Sequence, residues 1–169
     1  MLKKYFKSQK GITTIDTIVF LSIALPIMIF FTVDFPLMMA TNRKVKATLD
    51  NAASTAILQI DETKVSQGEL YIDEVESKKM ALKVITETFN LNNDLTLKEN
   101  SIIAGTPIID VVVINNVTNT KYYDTSNGRF EIKNPSVLIY GEVPVRGTFF
   151  SHSPKTIKYT AVAQVQFRE

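Results

Sequence analysis

Seventeen consecutive residues, Thr17 to Val33, carry no charge, and an aspartate stands at each end of them, Asp16 and Asp34. A helix needs about 20 apolar residues to cross the hydrocarbon core of a bilayer. The run reaches that length comfortably once Ile12 to Ile15 or Phe35 to Met39 are added. Ahead of it lies a short basic leader, Met1 to Lys10, which ends at Gly11 and contains Lys3, Lys4, Lys7 and Lys10. Behind it come Arg43, Lys44 and Lys46. Four lysines before the segment against three cations after it favour a cytoplasmic N-terminus, by a small margin. Membrane headgroups account for cations at both flanks.

A cleavable secretory signal competes with a permanent anchor. Its apolar region normally runs about 7–15 residues with no acid inside it. This one is longer and bracketed by carboxylates, and Met38-Met39-Ala40 makes a poor cleavage site.

The order of features narrows the reading. Lysines, then Gly11, then Asp16 five residues on, then a lipid-soluble helix with Leu25-Pro26, Asp34-Phe35 and a helical Asn51-Ala52-Ala53 beyond form one pattern. It resembles the tight-adherence (Tad) pilus pseudopilins of the TadE type and, more loosely, type IV pilins in general. The resemblance covers roughly the first third of the chain; no recognisable motif follows Ile60. The family usually carries Glu at the position that Asp16 holds here. The resemblance implies cleavage by a prepilin-type peptidase between Gly11 and Ile12. It also implies assembly with copies of this chain or related pilins, and a helix that serves first as an anchor and later as filament core.

The helix is expected to continue past the membrane. Ile27, Phe31, Met38, Val45, Leu49, Ala52, Ala56 and Ile60 recur on one narrow face at 100° per residue, with Arg43, Lys44, Asp50 and Thr55 elsewhere. Pro26 and Pro36 interrupt it. Proline removes a helical hydrogen bond and crowds the preceding turn, so each predicts a kink, and Ser22 to Pro26 is expected to be bent or unwound. Gln59 to Gly68 reads as a polar turn region. A second helix is expected over Ile72 to Leu91, with Val75, Leu82, Ile85 and Phe89 as its apolar stripe and Lys78 lying within it.

From about Leu95 the period changes to two. Ile108–Ile114 is a β-branched run suited to a buried strand. Lys121–Tyr123 and Arg129–Ile132 flank Asp124 to Gly128, a hairpin signal because Asn127-Gly128 accepts the positive φ of tight turns. Ser136–Val145 alternates, with Val137, Ile139, Val143 and Val145 on one side. Thr156–Phe167 alternates too, with Ile157, Tyr159, Ala161, Ala163, Val165 and Phe167 on one side. The expected class is α+β: a long N-terminal helix, a second helix, then an antiparallel sheet. The expected organisation is a leader over 1–11, a transmembrane or filament-core helix over 12–40, and an extracytoplasmic domain over 41–169.

Catalytic residue types are scarce. There is no cysteine, which excludes disulfides, thiolate metal sites and cysteine nucleophiles. The one histidine, His152, lies among turn residues without partners for a triad or metal site. Six scattered glycines form no phosphate-cradling loop. Asp61, Glu62, Glu69, Asp73, Glu74 and Glu76 are dense, but lack the order and central glycine of a calcium loop. Acids are favoured near a helix start, which accounts for them more simply. Asn116-Val117-Thr118 matches a glycosylation sequon, which has no use in an ordinary bacterium. A net charge of +2 implies no nucleic-acid partner. No cofactor, metal or enzymatic activity is expected.

Asp16 is the candidate assembly residue. Cleavage after Gly11 would place a new ammonium on Ile12 about one helical turn from Asp16, in the same or a neighbouring subunit. Asp34 reads equally as the outer membrane boundary or as a contact to a neighbour. The expected function is a pilin or pseudopilin subunit, a precursor in the cell membrane and later part of a surface filament. The rival is a permanently bitopic protein whose outward domain binds a partner.

Overall fold

The structure is a computed structural model that describes residues 2–117, 120–125, 128–145 and 154–166, with side chains from Thr14 onward. His152, Thr118, Asn127 and Phe167 lie outside the described residues. The chain is α+β. Helix α1 (Leu2–Ile29), a π-helical turn (Phe30–Asp34) and helix α2 (Phe35–Ala56) follow one another without a break. The helix ends at Ala56, four residues short of the expected Ile60. Ile60 instead forms an isolated antiparallel bridge with Ile72.

The polar stretch after α2 contains a one-turn helix, α3 (Glu62–Val65). Asp61 caps it, its carboxylate accepting from the Thr63 and Lys64 amides at 3.0 and 3.4 Å. These bonds occupy amides that have no partner at a helix start. Helix α4 (Glu74–Phe89) is shorter than the expected Ile72–Leu91 at both ends. Asp73 sets its start by accepting from the Val75 and Glu76 amides at 2.9 and 3.0 Å. Asn90 ends it in the left-handed conformation, φ 55°, which asparagine tolerates better than most residues.

The buried face of α4 keeps Ile85 and Phe89 of the expected stripe and differs in the rest. Ser77, Ala81, Ile85 and Phe89, each four residues apart, are buried together with Thr86. Val75 is 74% exposed and Lys78 is exposed. Small residues carry this contact on both partners. The Ser77 hydroxyl donates to the Ala56 carbonyl across 2.7 Å, and α2 turns Ala52, Ala53 and Ala56 inward. Alanine and serine let two helix backbones approach closely, a signal that hydrophobic periodicity does not register.

The three-stranded antiparallel sheet has the order β1 (Ile108–Ile114), β4 (Ser136–Val145), β5 (Lys155–Gln164). β1 and β4 keep the bounds read from sequence. β4 is central, and its run Ser136 to Ile139 is buried on both faces. Val137, Ile139 and Val143 join Val45, Leu49 and Phe89 in the main core between the helices and the sheet. Leu138 faces the other way, with Ile114 and Ile132 in a second cluster. Ile132 comes from the separate hairpin of β2 (Lys121–Thr125) and β3 (Gly128–Ile132), which covers that outer face. Thr125 pairs with Gly128, within the expected turn region Asp124 to Gly128. Gly128 itself takes φ +124°, a backbone angle that disfavours any side chain.

Candidate membrane and assembly segment

Core packing of the long helix begins only at Val45. From Thr14 to Ala40, α1 and the start of α2 extend about 40 Å at 1.5 Å per residue, and almost every large side chain on them is uncovered. Ile15, Ile18, Phe20, Met28 and Phe31 are each more than 60% exposed. Thr14–Ala56 is long and apolar enough to cross a membrane, and its most apolar stretch is only 6% buried within the chain. A buried core helix of the same composition would be covered by its own fold.

The hydroxyls on this helix are bonded locally. Ser22 donates to the Val19 carbonyl and Thr32 to the Met28 carbonyl, both at 2.7 Å, and Thr41 donates to Leu37 at 2.9 Å. Bonds of this kind keep a hydroxyl paired where no water is present.

Pro26 lies inside α1, and the backbone is α-helical on both sides of it. The unwound turn expected at Ser22 to Pro26 is therefore not found. The irregular turn comes later, at Phe30–Asp34, where the Phe35 amide bonds to Phe30, five residues back. Pro36 follows at the start of α2 and has no amide to offer the Thr32 carbonyl. Inserting one residue into a turn is a common way for a helix to relieve such a loss. Pro26, Ile27, Phe30 and Phe31 line a shallow apolar notch of about 340 Å³, with the two phenyl rings edge to face at 5.5 Å.

The candidate residues are spread along the helix rather than gathered. Gly11 and Ile12 lie on α1, whose backbone is helical across the expected cleavage point. Asp16 is exposed, with no hydrogen bond or ion pair among the described residues. Asp34, eighteen residues on and about 27 Å along the axis, is 1% exposed at the end of the π turn. Sequence reading left Asp34 equally at the outer membrane boundary or against a neighbouring subunit, and missed its coverage by its own chain.

Two further contacts join the helix to the sheet. The Tyr159 hydroxyl donates to the Asp50 carboxylate at 3.2 Å, and the Lys46 ammonium lies 5.0 Å from the Tyr159 ring centre. Burial raises the Tyr159 pKa above 10.0, and the Asp50 charge and hydrogen bond raise it further. Asp61 and Asp73, in the acid-rich stretch, serve as helix caps, and the Asp61 carboxyl is held below its ordinary value chiefly by the Thr63 hydroxyl. No cluster of three or more His, Cys, Asp or Glu suited to a metal occurs among the described residues.

Comparison with protein-family models, with curated proteins and with solved structures finds no match to this chain.

Proposed function

We propose that this chain is a pilin-like structural subunit of a surface filament. It is made as a membrane-anchored precursor, cut after Gly11 by a prepilin-type peptidase, and assembled with copies of itself or related subunits. The observation that carries the reading is the uncovered apolar helix projecting from a domain that has its own core. At about 25 cal/mol per Å² of apolar surface, leaving those side chains in water is costly. Lipid removes that cost before assembly, and neighbouring helices remove it afterwards. The leader's lysines, Gly11 and Asp16 supply the order that a processed anchor needs.

Asp16 would select the assembled state. An ionised carboxylate at the bilayer centre costs on the order of 2.5–3.5 kcal/mol on insertion scales. Its attraction to an ammonium at 4 Å is about 4 kcal/mol at an effective dielectric of 20. Asp16 lies at the end of the apolar run, where that cost is smaller, so pairing with the Ile12 ammonium would more than offset it and set subunit register.

A permanently bitopic protein is the second reading. The locally bonded hydroxyls of Ser22 and Thr32 favour it, since they let the helix remain in lipid without a partner. Shearing filaments from cells that carry the parent chain, Asp16→Ala or Asp16→Glu separates the two. The parent and the glutamate variant are expected in the sheared fraction, with the alanine variant left in the membrane. A parent chain found only in the membrane would support the bitopic reading instead.

A further inference from the structure

Beyond Met39, the large apolar side chains that stay exposed among the described residues gather at the two ends of the domain; Ile108 and Tyr122, on strands, are the exceptions. The packing of α2 against α4 defines these ends. The two helices run antiparallel, because Ser77 near the start of α4 bonds Ala56 at the end of α2. Phe89 and Val45 share the core at the other end, nearest the apolar helix. The far end is built from the chain between Ala56 and Ser77. There the Asp73 amide bonds the Gln59 carbonyl at 2.8 Å and Ile60 bridges to Ile72, which draws Leu58 and Val75 to the same end. Leu58 is 71% and Val75 74% exposed, and Val65 is exposed as well. The near end carries Ile102, whose amide bonds the Phe89 carbonyl at 3.3 Å, and Leu97, which bridges to Leu91. Both are exposed.

The two ends are opposite in charge. From Asp61 to Lys79 the far end has six acids and three lysines. Asp61 and Asp73 cap helices, and Glu76 is bonded to Lys79 at 3.0 Å. Glu62, Glu69 and Glu74 stay exposed, with no ion-pair partner among the described residues. The near end has Arg43, Lys44 and Lys46 exposed on α2 around the buried Val45. Lys98 lies in the loop after α4, and Lys155 pairs with Val145, to which Ile103 bridges. Glu87, Asp94 and Glu99 are the acids there, and Asp94 accepts from the Thr96 amide and hydroxyl. Five cations to three acids leave this end positive.

We infer that the far end of one copy docks on the near end of a second copy, with Leu58 and Val75 against Leu97 and Ile102 and with Glu62 and Glu74 facing Arg43 and Lys44. The contact rests on the reading of this chain as a filament subunit. In a polymer whose apolar helices all point one way, each domain presents its near end to the far end of the next copy along the axis. A contact between unlike ends does not close on itself, so it repeats along the fibre. Single apolar side chains on a surface need no partner. Two apolar ends, one beside acids and the other beside cations, complement each other in both charge and hydrophobicity. Cations that meet headgroups before assembly exchange them for carboxylates on assembly.

The test uses the full chain in cells. Insertion is checked by resistance to alkaline extraction, folding by the denaturant midpoint, and assembly by the amount of chain in the sheared surface fraction. Glu62→Lys/Glu74→Lys, or Arg43→Glu/Lys44→Glu, sets like charges face to face and is expected to cut the sheared fraction about tenfold. All four substitutions in one chain are expected to restore it to within about twofold. Leu58→Ser/Val75→Ser is expected to cut it as well, with the midpoint unchanged because both side chains are exposed. The chain has no cysteine, so Lys44→Cys/Glu74→Cys supplies the only thiols. A bifunctional thiol reagent is expected to give a ladder of multimers from sheared filaments of that double variant and no product from either single variant. Dimers from a single variant would mean that like ends meet, and overturn the proposal. Filaments that form no ladder, that ignore the charge reversals, or that are not restored by the fourfold variant overturn the contact and leave the filament reading standing. A near-end variant that alkali extracts assigns Arg43 and Lys44 to headgroups and overturns the contact too. A parent chain absent from the sheared fraction overturns the filament reading, and the contact with it.

Discussion

Leu49 on α2 lies directly over Gly141 on the central strand, so close that a β-carbon at Gly141 would fall 2.6 Å from Leu49 Cδ1. Leu49 is fully buried there, and the contact is where the long helix leaves its exposed course and becomes part of a fold. The Tyr159–Asp50 bond beside it also joins the helix to the sheet.

Gly141→Ala therefore overpacks the junction and is expected to destabilise the domain by about 1–3 kcal/mol. Leu49→Ala alone leaves a cavity and costs about 2–5 kcal/mol. The double variant should cost less than the sum, because the new methyl enters the space that Leu49 vacates. Denaturant midpoints of the full chain in detergent measure all three. Strict additivity would show that the two positions are not in contact.

Asn115, just after β1, closes both backbone bonds of Ile72: its Oδ1 accepts from the Ile72 amide at 2.7 Å, and its Nδ2 donates to the Ile72 carbonyl at 2.9 Å. Asn115→Ala leaves both groups of a fully buried residue unpaired, at about 1–3 kcal/mol for each group that water cannot reach. Asn115→Asp keeps the acceptor but cannot donate, so it is expected to destabilise as well. Unfolding curves and amide exchange at Ile72 read the effect; a neutral Asn115→Asp would mean that the carbonyl bond contributes nothing.

Tyr159 gives the domain an alkaline limit. Its pKa is raised in the folded chain, first by burial and then by Asp50. The folded state therefore holds the hydroxyl proton more tightly than the unfolded state does. The stability it contributes is complete below pH 10.0 and is lost as pH rises through the raised value. Tyr159→Phe removes that share of the loss while leaving the ring beside Lys46. Tyrosinate absorbance followed with stability against pH checks this, and a Tyr159 that ionises at or below its ordinary value contradicts it.

The strands and the long helix were legible because their signals are local. Ile108–Ile114 is a β-branched run, and Ser136–Val145 has turn residues ahead of it, so burial and boundary agree. The face of α4 was legible only at Ile85 and Phe89, which are buried as read; Ser77 and Ala81, which complete it against α2, look neutral on any hydrophobic scale. Val75 looked like core but falls in the first turn, beyond the reach of α2. Among the candidate residues, Asp16 could be singled out from its place between a glycine and an apolar run. Asp34 is covered at the end of a π turn, which has no sequence signature of its own.

The central claim is that Thr14–Ala40 is an anchor released into a polymer by cleavage. The most direct measurement is the intact mass and N-terminal sequence of the protein recovered from the cell surface. The account predicts a mature chain that begins at Ile12, with the Asp16 carboxylate one turn from a free ammonium. Surface material that still carries Met1 to Gly11 would contradict it.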